Sequence, residues 1–381
     1  MSKWKFSYLL FRASFWIGAL LTGGIIFSIT PTAKKWAILS KIEFLPVSSE
    51  ICFRSQTMKK YLQHGGNPNA EIITFFSDSG IVRISLLECA IEMSNTRGIE
   101  LLIPYIADVN AKQKQGKTII YWARSPEIAE LLIAKGAKLN VTDFKGKTPL
   151  HDIARFSRQE KTVKLLIANG AEVNATDIDG KTPLYYALGQ GKEDVAKLLI
   201  ANGAEVNATD IDGKTPLHYV SQGGDKDVTK LLIANGAEVN DTDIDGNTPL
   251  YLAAWVHQNE KIVEILIDNG ADIDVKSESG ATPLLLAASY SRYKTVKLLI
   301  AKGANIDATD SKGRNALHYA AKAIDNLKLI ELLIANGIDI NVKDDLGKTP
   351  LDYALASKKN DRIIELLKAD RNTSLNLIFS Q

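Results

Sequence analysis

The chain reads as an all-α stack of short helix–turn–helix units preceded by an N-terminal hydrophobic helix. Three observations predict this. A glycine recurs at a near-constant interval along most of the chain. Short apolar stripes of helical spacing follow each of these glycines. A long uncharged run stands apart near the start.

Composition sets the outer limits. The chain has 381 residues, with 46 Lys plus Arg against 44 Asp plus Glu, a net charge of +2. A near-balanced chain has no general pull toward nucleic acid. Apolar residues make up 45%, enough for a buried core and too many for a disordered chain. The only cysteines are Cys52 and Cys89. Two thiols build neither a disulfide framework nor a four-thiolate zinc site. They could form one bridge in an oxidising compartment, and the sequence does not say whether they pair.

The first segment, residues 1–35, contains an uncharged stretch, Ala13 to Ala33, that is mostly apolar as far as Ile29. Lys3, Lys5 and Arg12 precede it, and Lys34 and Lys35 follow. A helix of about 20 residues spans the hydrocarbon layer. Trp16 and Trp36 fall near its two ends, where indole rings favour the headgroup zone. A retained single-pass anchor fits best. A cleaved export signal is the alternative, although Pro31 sits poorly in the third place before a cut at Ala33. A buried helix of a soluble protein is the plain reading, against which stands the lack of any polar stripe. Positive charge is balanced across the run, so orientation is weakly determined, with a lean toward the N-terminus inside and the rest outside.

Residues 36–83 read as irregular, with Tyr61-Leu62-Gln63-His64-Gly65-Gly66-Asn67-Pro68-Asn69 resembling a lone second helix and its exit. Residues 84–142 hold two degenerate units. One has Ser85-Leu86-Leu87 with Leu101-Leu102-Ile103. The other has Gly116-Lys117-Thr118-Ile119 with Leu131 to Gly136, and its first helix or loop is shortened.

Residues 143–370 are periodic. Gly146, Gly180, Gly213, Gly246, Gly280, Gly313 and Gly347 are separated by 34, 33, 33, 34, 33 and 34 residues. Leu165–Leu184 and Leu198–Leu217 are identical over 20 residues, and Leu231–Leu250 differs only at Asp241 and Asn247, which suggests internal duplication. In one unit, Asp177-Ile178-Asp179-Gly180 is a turn signal: Asp bonds its own backbone and Gly takes a positive φ. Thr182 offers a capping oxygen, and Pro183 is tolerated in the first helical turn. Leu184 and Ala187 share a face of a short helix. Val195, Leu198 and Leu199 form the stripe of a second helix, which ends at Asn202-Gly203. Neither helix is long enough to be stable alone, so each unit must stack on its neighbours. Residues 371–381 form a tail in which Leu375, Leu377, Ile378 and Phe379 could cap the stack or fray.

The strings Thr215-Pro216-Leu217-His218, Thr148-Pro149-Leu150-His151 and, in part, Asn315-Ala316-Leu317-His318 resemble the ankyrin repeat, as does the period of about 33 residues. The resemblance implies an ankyrin-repeat solenoid with hairpin loops. It implies that the histidine bonds loop backbone and the Thr, and that partners dock on the concave face and the hairpin tips. In this sequence those positions are Phe144, Lys145, Arg155, Phe156, Ile178, Lys181, Gln190, Ile211, Lys214, Gln222, Ile244, Trp255, His257, Ser289, Tyr290, Arg314 and Lys322. The foremost candidates are Phe144, Arg155, Phe156, Ile178, Ile211, Ile244, Trp255, His257, Tyr290, Arg314 and Lys322. Phe156, Trp255 and Tyr290 stand out as aromatic anchors; the plain reading is that each ring packs on a neighbouring helix.

Catalysis is not expected. His151, His218 and His318 occupy one slot that other units fill with Tyr185, Tyr251, Leu285 or Asp352. Asp241-Thr242-Asp243-Ile244-Asp245-Gly246 begins like a calcium loop, but its twelfth position is Leu252 where a bidentate Glu is needed. Asn174, Asn207 and Asn240 match glycosylation acceptors but sit at one repeat position, so the repeat consensus explains them better. No cofactor or metal is implied. The function expected is a non-enzymatic protein-binding scaffold with unidentified protein partners, a membrane contact through the N-terminal segment and no nucleic acid. The alternative is a structural, self-associating membrane-organising array.

Overall fold

The structure is a computed structural model that describes residues 54–76, 80–92, 95–156, 158–188, 192–322, 326–357, 361–369 and 378. The run Ala13–Ala33, Cys52, Gln190, Leu375, Leu377 and Phe379 lie outside them, so the anchor, the signal and most of the tail are not described. Among the described residues no helix is long and apolar enough to cross a membrane. The chain divides into two compact units, Met1–Leu101 and Leu102–Gln381.

In the first unit, the helix Ser55–Gln63 ends at His64 and Gly65, with Gly65 at φ +80°. A two-stranded antiparallel hairpin follows, Glu71–Phe76 with Gly80–Ser85, in a register pairing Glu71 with Ser85 and Phe76 with Gly80. The helix Leu86–Glu92 begins on a reciprocal cap: Glu88 N–H donates to Ser85 Oγ at 3.1 Å, and Ser85 N–H donates to Glu88 Oε2 at 2.8 Å. The hairpin corrects the all-α expectation, which holds only for the second unit, where no described residue is in a strand. Its cue is in the sequence: Ile72, Ile73, Thr74, Phe75 and Phe76 come before Ser77-Asp78-Ser79 and Ile81, Val82 and Ile84 after it, a β-branched and aromatic pattern broken by turn formers. Cys89 is fully buried and carries a disulfide.

The second unit is a run of helix pairs, each named here by its turn glycine. The Gly116 repeat replaces its first helix with a 3-10 turn, Ile119–Trp122, before the helix Pro126–Ala134. The pairs that follow are Pro149–Ala154 with Glu160–Ala168, Pro183–Tyr186 with Glu193–Ala201, Pro216–Ser221 with Lys226–Ala234, and Pro249–Ala254 with Glu260–Asp268. Then come Pro283–Ser289 with Tyr293–Ala301, Ala316–Lys322 with Leu327–Ala335, and Pro350–Ala356 with Asp361–Lys368.

Leucine and valine from both helices fill the space between neighbours. In the Gly213 repeat, Leu217, Val220, Val228 and Leu232 are all buried. Burying one such side chain contributes roughly 1.5–3 kcal/mol. The helices are too short to stand alone, so this inter-repeat packing is what stabilises them.

The turns are built the same way throughout. Asp177 Oδ1 accepts the amides of Asp179 and Lys181, both at 2.9 Å, and Asp210 and Asp243 repeat the arrangement. Successive turns are then joined by backbone bonds. Phe144 N–H donates to Gln115 O, Ile178 to Lys145 O, Ile211 to Asp179 O and Ile244 to Asp212 O, at 2.9–3.0 Å. The turns thus form a ladder in which each hairpin is fixed against the next.

Candidate interaction surface

Two strips of exposed side chains flank the first helices of the array. One lies on the hairpin tips, before each first helix. The other lies at the loops that follow those helices.

The tip strip holds Phe144, Ile178, Ile211 and Ile244, which are 76%, 64%, 66% and 65% exposed. They occupy the same place in four consecutive repeats, and the backbone ladder just described fixes their spacing. The next three repeats put Glu278, Ser311 and Asp345 in this place, so the apolar row stops. Each isoleucine is followed by an exposed aspartate: Asp179, Asp212 and Asp245. The four form a row of large apolar side chains that the fold leaves in water.

The loop strip holds the aromatics. The rings of Trp255 and Tyr290, from adjacent repeats, lie 5.6 Å apart and tilted by 49°. Arg292, absent from the sequence candidates, fixes the pair: its Nε donates to Trp255 O at 2.5 Å and its guanidinium lies 5.8 Å from the Tyr290 ring. Trp255 stays 38% exposed and Tyr290 50%. Phe156 is half-buried, with the guanidinium of Arg124 4.3 Å from its ring and that of Arg155 5.4 Å away. Phe156 therefore packs under cations rather than standing free. His257 and Lys322 are exposed.

Arg314 is occupied within its own repeat. Its Nε and one terminal nitrogen donate to Asp310 Oδ2 at 2.9 and 2.6 Å, and that nitrogen also donates to Tyr319 Oη at 2.9 Å. Burial raises the Asp310 carboxyl, but the bonds from Arg314 outweigh it and the group ends below its ordinary range. Lys181 and Lys214 are half-buried, and Lys181 lies 5.0 Å from the Tyr219 ring. Lys145 and Gln222 are exposed, and Ser289 is half-buried with its hydroxyl on Leu286 O.

The histidines are structural clamps. Thr215 N–H donates to His218 Nδ1 at 3.0 Å, and the Thr215 hydroxyl lies 2.8 Å from the same nitrogen. Because Nδ1 accepts, the proton sits on Nε2, which donates to Asn247 O of the next repeat at 3.1 Å. His151 does the same to Lys181 O; His318 Nε2 lies 3.1 Å from Lys348 O, but its Nδ1 faces the Asn315 side-chain oxygen, an acceptor, at 2.7 Å. Burial lowers the pKa of all three. At two of the slots that tyrosine fills, its hydroxyl reaches the equivalent carbonyl: Tyr121 donates to Lys147 O and Tyr185 to Lys214 O, each at 2.5 Å.

That exchange leaves a trace. Thr118 and Thr182 precede Tyr121 and Tyr185, and their buried hydroxyls have no hydrogen-bond partner, while Thr248, before the third tyrosine Tyr251, accepts the Tyr251 N–H at 3.3 Å. Thr215 caps its helix and bonds the histidine. The Thr182→Val change is therefore expected to shift stability by less than about 0.5 kcal/mol or to stabilise, whereas Thr215→Val costs about 1–2 kcal/mol. Urea unfolding of both variants checks this; equal losses would contradict the assignment.

Asparagines knit the exits together. The side-chain nitrogens of Asn140, Asn174, Asn207 and Asn240 donate to Gly170, Gly203, Gly236 and Gly270 carbonyls of the following repeats at 2.9–3.0 Å. The nitrogen that a glycan would take at Asn174, Asn207 or Asn240 is thus part of the scaffold. Asp243 is spent as well, its Oδ1 on two amides and its Oδ2 on Asn247 Nδ2 at 3.2 Å. Among the described residues no group of three or more His, Cys, Asp or Glu is placed to hold a metal ion.

A family model described as ankyrin repeats, three copies, matches residues 124–210, 207–277, 257–344 and 284–377. No curated protein matches the chain. The matched segments cover most of the chain, and the turn ladder, the clamping histidines and the paired helices give that match its physical content. The chain belongs to the ankyrin repeat family, whose members generally mediate protein–protein interaction.

Proposed function

We propose that this protein is a non-enzymatic scaffold that binds partner proteins through its hairpin tips and the adjoining side of its first helices. The observation that carries this is the row Phe144, Ile178, Ile211 and Ile244: four exposed apolar side chains, one per repeat, on a hydrogen-bonded ladder. The Trp255–Tyr290 pair supplies a second anchor of the residue types that dominate binding hot spots. The histidines of the shared repeat slot are engaged in inter-repeat bonds, which leaves them poorly placed for acid–base chemistry.

The same reading ties the chain to a membrane through Ala13–Ala33, with the array on the oxidising side. The disulfide at Cys89 supports that side, since such bonds persist outside reducing compartments. The test is affinity capture with the full chain and with a variant carrying serine at Ile178, Ile211 and Ile244. A partner retained by the native chain and lost by the variant supports the proposal. Identical captures from both would refute it.

A further inference from the structure

We infer that Arg124, Arg155 and Lys192, on the loops of three consecutive repeats, form a cationic site that takes an acidic, carboxylate-bearing segment of a protein partner. This rests on the reading of the array as a scaffold and names the chemistry of one docking surface. Three features of the cluster select that occupant.

Position comes first. Each cation follows the first helical element of its own repeat, on backbone that the fold holds. Arg124 N–H donates to Trp122 O at 2.7 Å, and the next residue, Ser125, caps the helix Pro126–Ala134 with its side chain. Arg155 is the C-terminal cap of Pro149–Ala154, and Phe156 N–H after it donates to Ile153 O at 3.1 Å. Lys192 precedes the helix Glu193–Ala201, and its Nζ donates to Tyr186 O at 3.2 Å. Phe156 draws the two arginines together, with the Arg124 guanidinium 4.3 Å from the centre of its ring and that of Arg155 5.4 Å from it. Arg155 in turn lies near enough to Lys192 to act on its charge.

Uncommitted charge comes second. Among the described residues none of the three forms an ion pair. An arginine carries five N–H donors in a fixed fork. Arg314 spends its fork on its own Asp310, whereas the guanidinium groups of Arg124 and Arg155 make no hydrogen bond within the described chain. Burial, and then the like charge of Arg155, hold the Lys192 ammonium below the ordinary lysine range, and no carboxylate enters that balance. Gathering like charges raises the energy of the free protein, and an anion on them lowers it.

The form of the anion comes third. The acids of the neighbouring elements are Asp152 on a first helix and Glu127, Glu160, Glu193 and Asp194 in the first turns of the second helices. Asp152 is taken by Lys117, and Glu193 by Lys197 at 2.5 Å. The positive charge is thus a narrow line across three loops, and carboxylates follow it on the second helices. A flat anionic membrane or a nucleic-acid backbone meets both signs. A single acidic segment lies along the line alone. One cation per loop suits successive carboxylates, each of which an arginine grips with two parallel bonds. A lone phosphate needs donors that converge on one point.

The probe is a fluorescein-labelled peptide, Glu-Glu-Leu repeated four times, whose binding to the full chain in mild non-ionic detergent is read by anisotropy. The variant Arg124→Gln, Arg155→Gln and Lys192→Gln together is expected to bind it at least tenfold more weakly and with a shallower salt dependence. The control variant Lys164→Gln, Lys230→Gln and Lys297→Gln removes the same charge from exposed sites on second helices and is expected to bind within twofold of the native chain. Arg155→Gln alone, an exposed single change, is expected to cost several-fold and reads the site even if the triple variant fails to fold. Urea midpoints of the triple variant are expected to match or exceed the native value, since a repulsion is removed.

Equal losses in the two triple variants would overturn the site, because the attraction would then be general. So would indifference to Arg155→Gln. A phosphoserine peptide of equal net charge that binds tenfold more tightly, and through these three residues, would make it a phosphate site instead. Loss of binding to phosphatidylserine vesicles in the first triple variant, with peptide binding intact, would make it a membrane contact. If a captured partner needs Ile178, Ile211 and Ile244 but neither Arg124, Arg155 nor Lys192, and the acidic peptide does not compete with it, this inference fails while the scaffold reading stands. If the native chain retains no partner that either set of changes removes, the scaffold reading fails.

Discussion

Replacing His218 with alanine is expected to destabilise the array by about 3 kcal/mol, against about 1–2 kcal/mol for His218→Tyr. The alanine variant loses three contacts at once. Thr215 N–H loses its acceptor, Asn247 O loses its donor, and a buried ring leaves a cavity. Tyrosine in the same slot of the Gly116 and Gly180 repeats already spans to the next repeat's carbonyl, so it restores the inter-repeat bond and the buried volume while leaving the Thr215 N–H and hydroxyl without the Nδ1 partner. Urea unfolding of the two variants separates these outcomes. A loss under 1 kcal/mol for the alanine variant would show that His218 is a passenger.

The same geometry fixes a pH dependence. In the folded chain, Nδ1 of His151 and His218 accepts the N–H of Thr148 and Thr215, so a proton there breaks the cap, whereas at His318 the Asn315 side-chain oxygen, 2.7 Å from Nδ1, would accept that proton. Burial adds to this, and the three folded pKa values lie below the ordinary 6.5. The unfolded chain therefore binds protons first as pH drops. The contribution is fully present above about pH 6.5 and is lost as pH falls from there toward the depressed folded values. Each unit of depression is worth about 1.4 kcal/mol per histidine. The melting temperature is expected to fall between pH 7.5 and 5, and a variant with tyrosine at positions 151, 218 and 318 should stay flat across that window. A native chain whose melting point does not move there would falsify the clamp.

What was legible in the sequence is what every repeat must do alone. The glycine period is readable because each turn glycine sits at positive φ, as with Gly146, Gly180 and Gly213 at +72°, +76° and +72°. The helix starts are readable because Thr-Pro is a capping pair. What depends on a neighbour was not readable. Arg292 reaches Trp255 O across 37 residues, and nothing local in Ser291-Arg292-Tyr293 announces it. Tyr121 and Tyr185 stand in for histidine only because their hydroxyls reach the next loop, a matter of distance between repeats. Arg314 looked like a surface residue because its partners, Asp310 and Tyr319, belong to the turn and helix on either side of it. The N-terminal hairpin falls in the stretch that reads as irregular: its β-branched pattern is local, but the pairing of Glu71–Phe76 with Gly80–Ser85 depends on the partner strand.

Among the turn glycines, Gly280→Ala is expected to be far more damaging than Gly347→Ala. Both have positive φ, +72° and +71°, so both changes meet the conformational cost of a side chain in the left-handed region, about 1–2 kcal/mol. They differ in what the new methyl touches. At Gly347 nothing lies within 4 Å, while at Gly280 the methyl carbon would sit 2.7 Å from Ser311 N, a backbone atom of the next hairpin. That contact forces the two turns apart and strains the bond from Ser311 N–H to Ser279 O, now 3.1 Å. The added cost is about 2 kcal/mol, of the size of a core overpacking. Repeat arrays are stabilised by nearest-neighbour interfaces, so weakening one uncouples the repeats on its two sides. Urea unfolding of Gly280→Ala is expected to split into two transitions, with the Gly313 and Gly347 repeats lost first and hydrogen exchange rising there. The tip row from Phe144 to Ile244 lies wholly on the other side of that break, so partner capture through it should survive at urea concentrations where the C-terminal repeats have melted. A single cooperative transition, with binding and the C-terminal repeats lost together, would mean that the row draws its rigidity from the whole stack rather than from its own four hairpins.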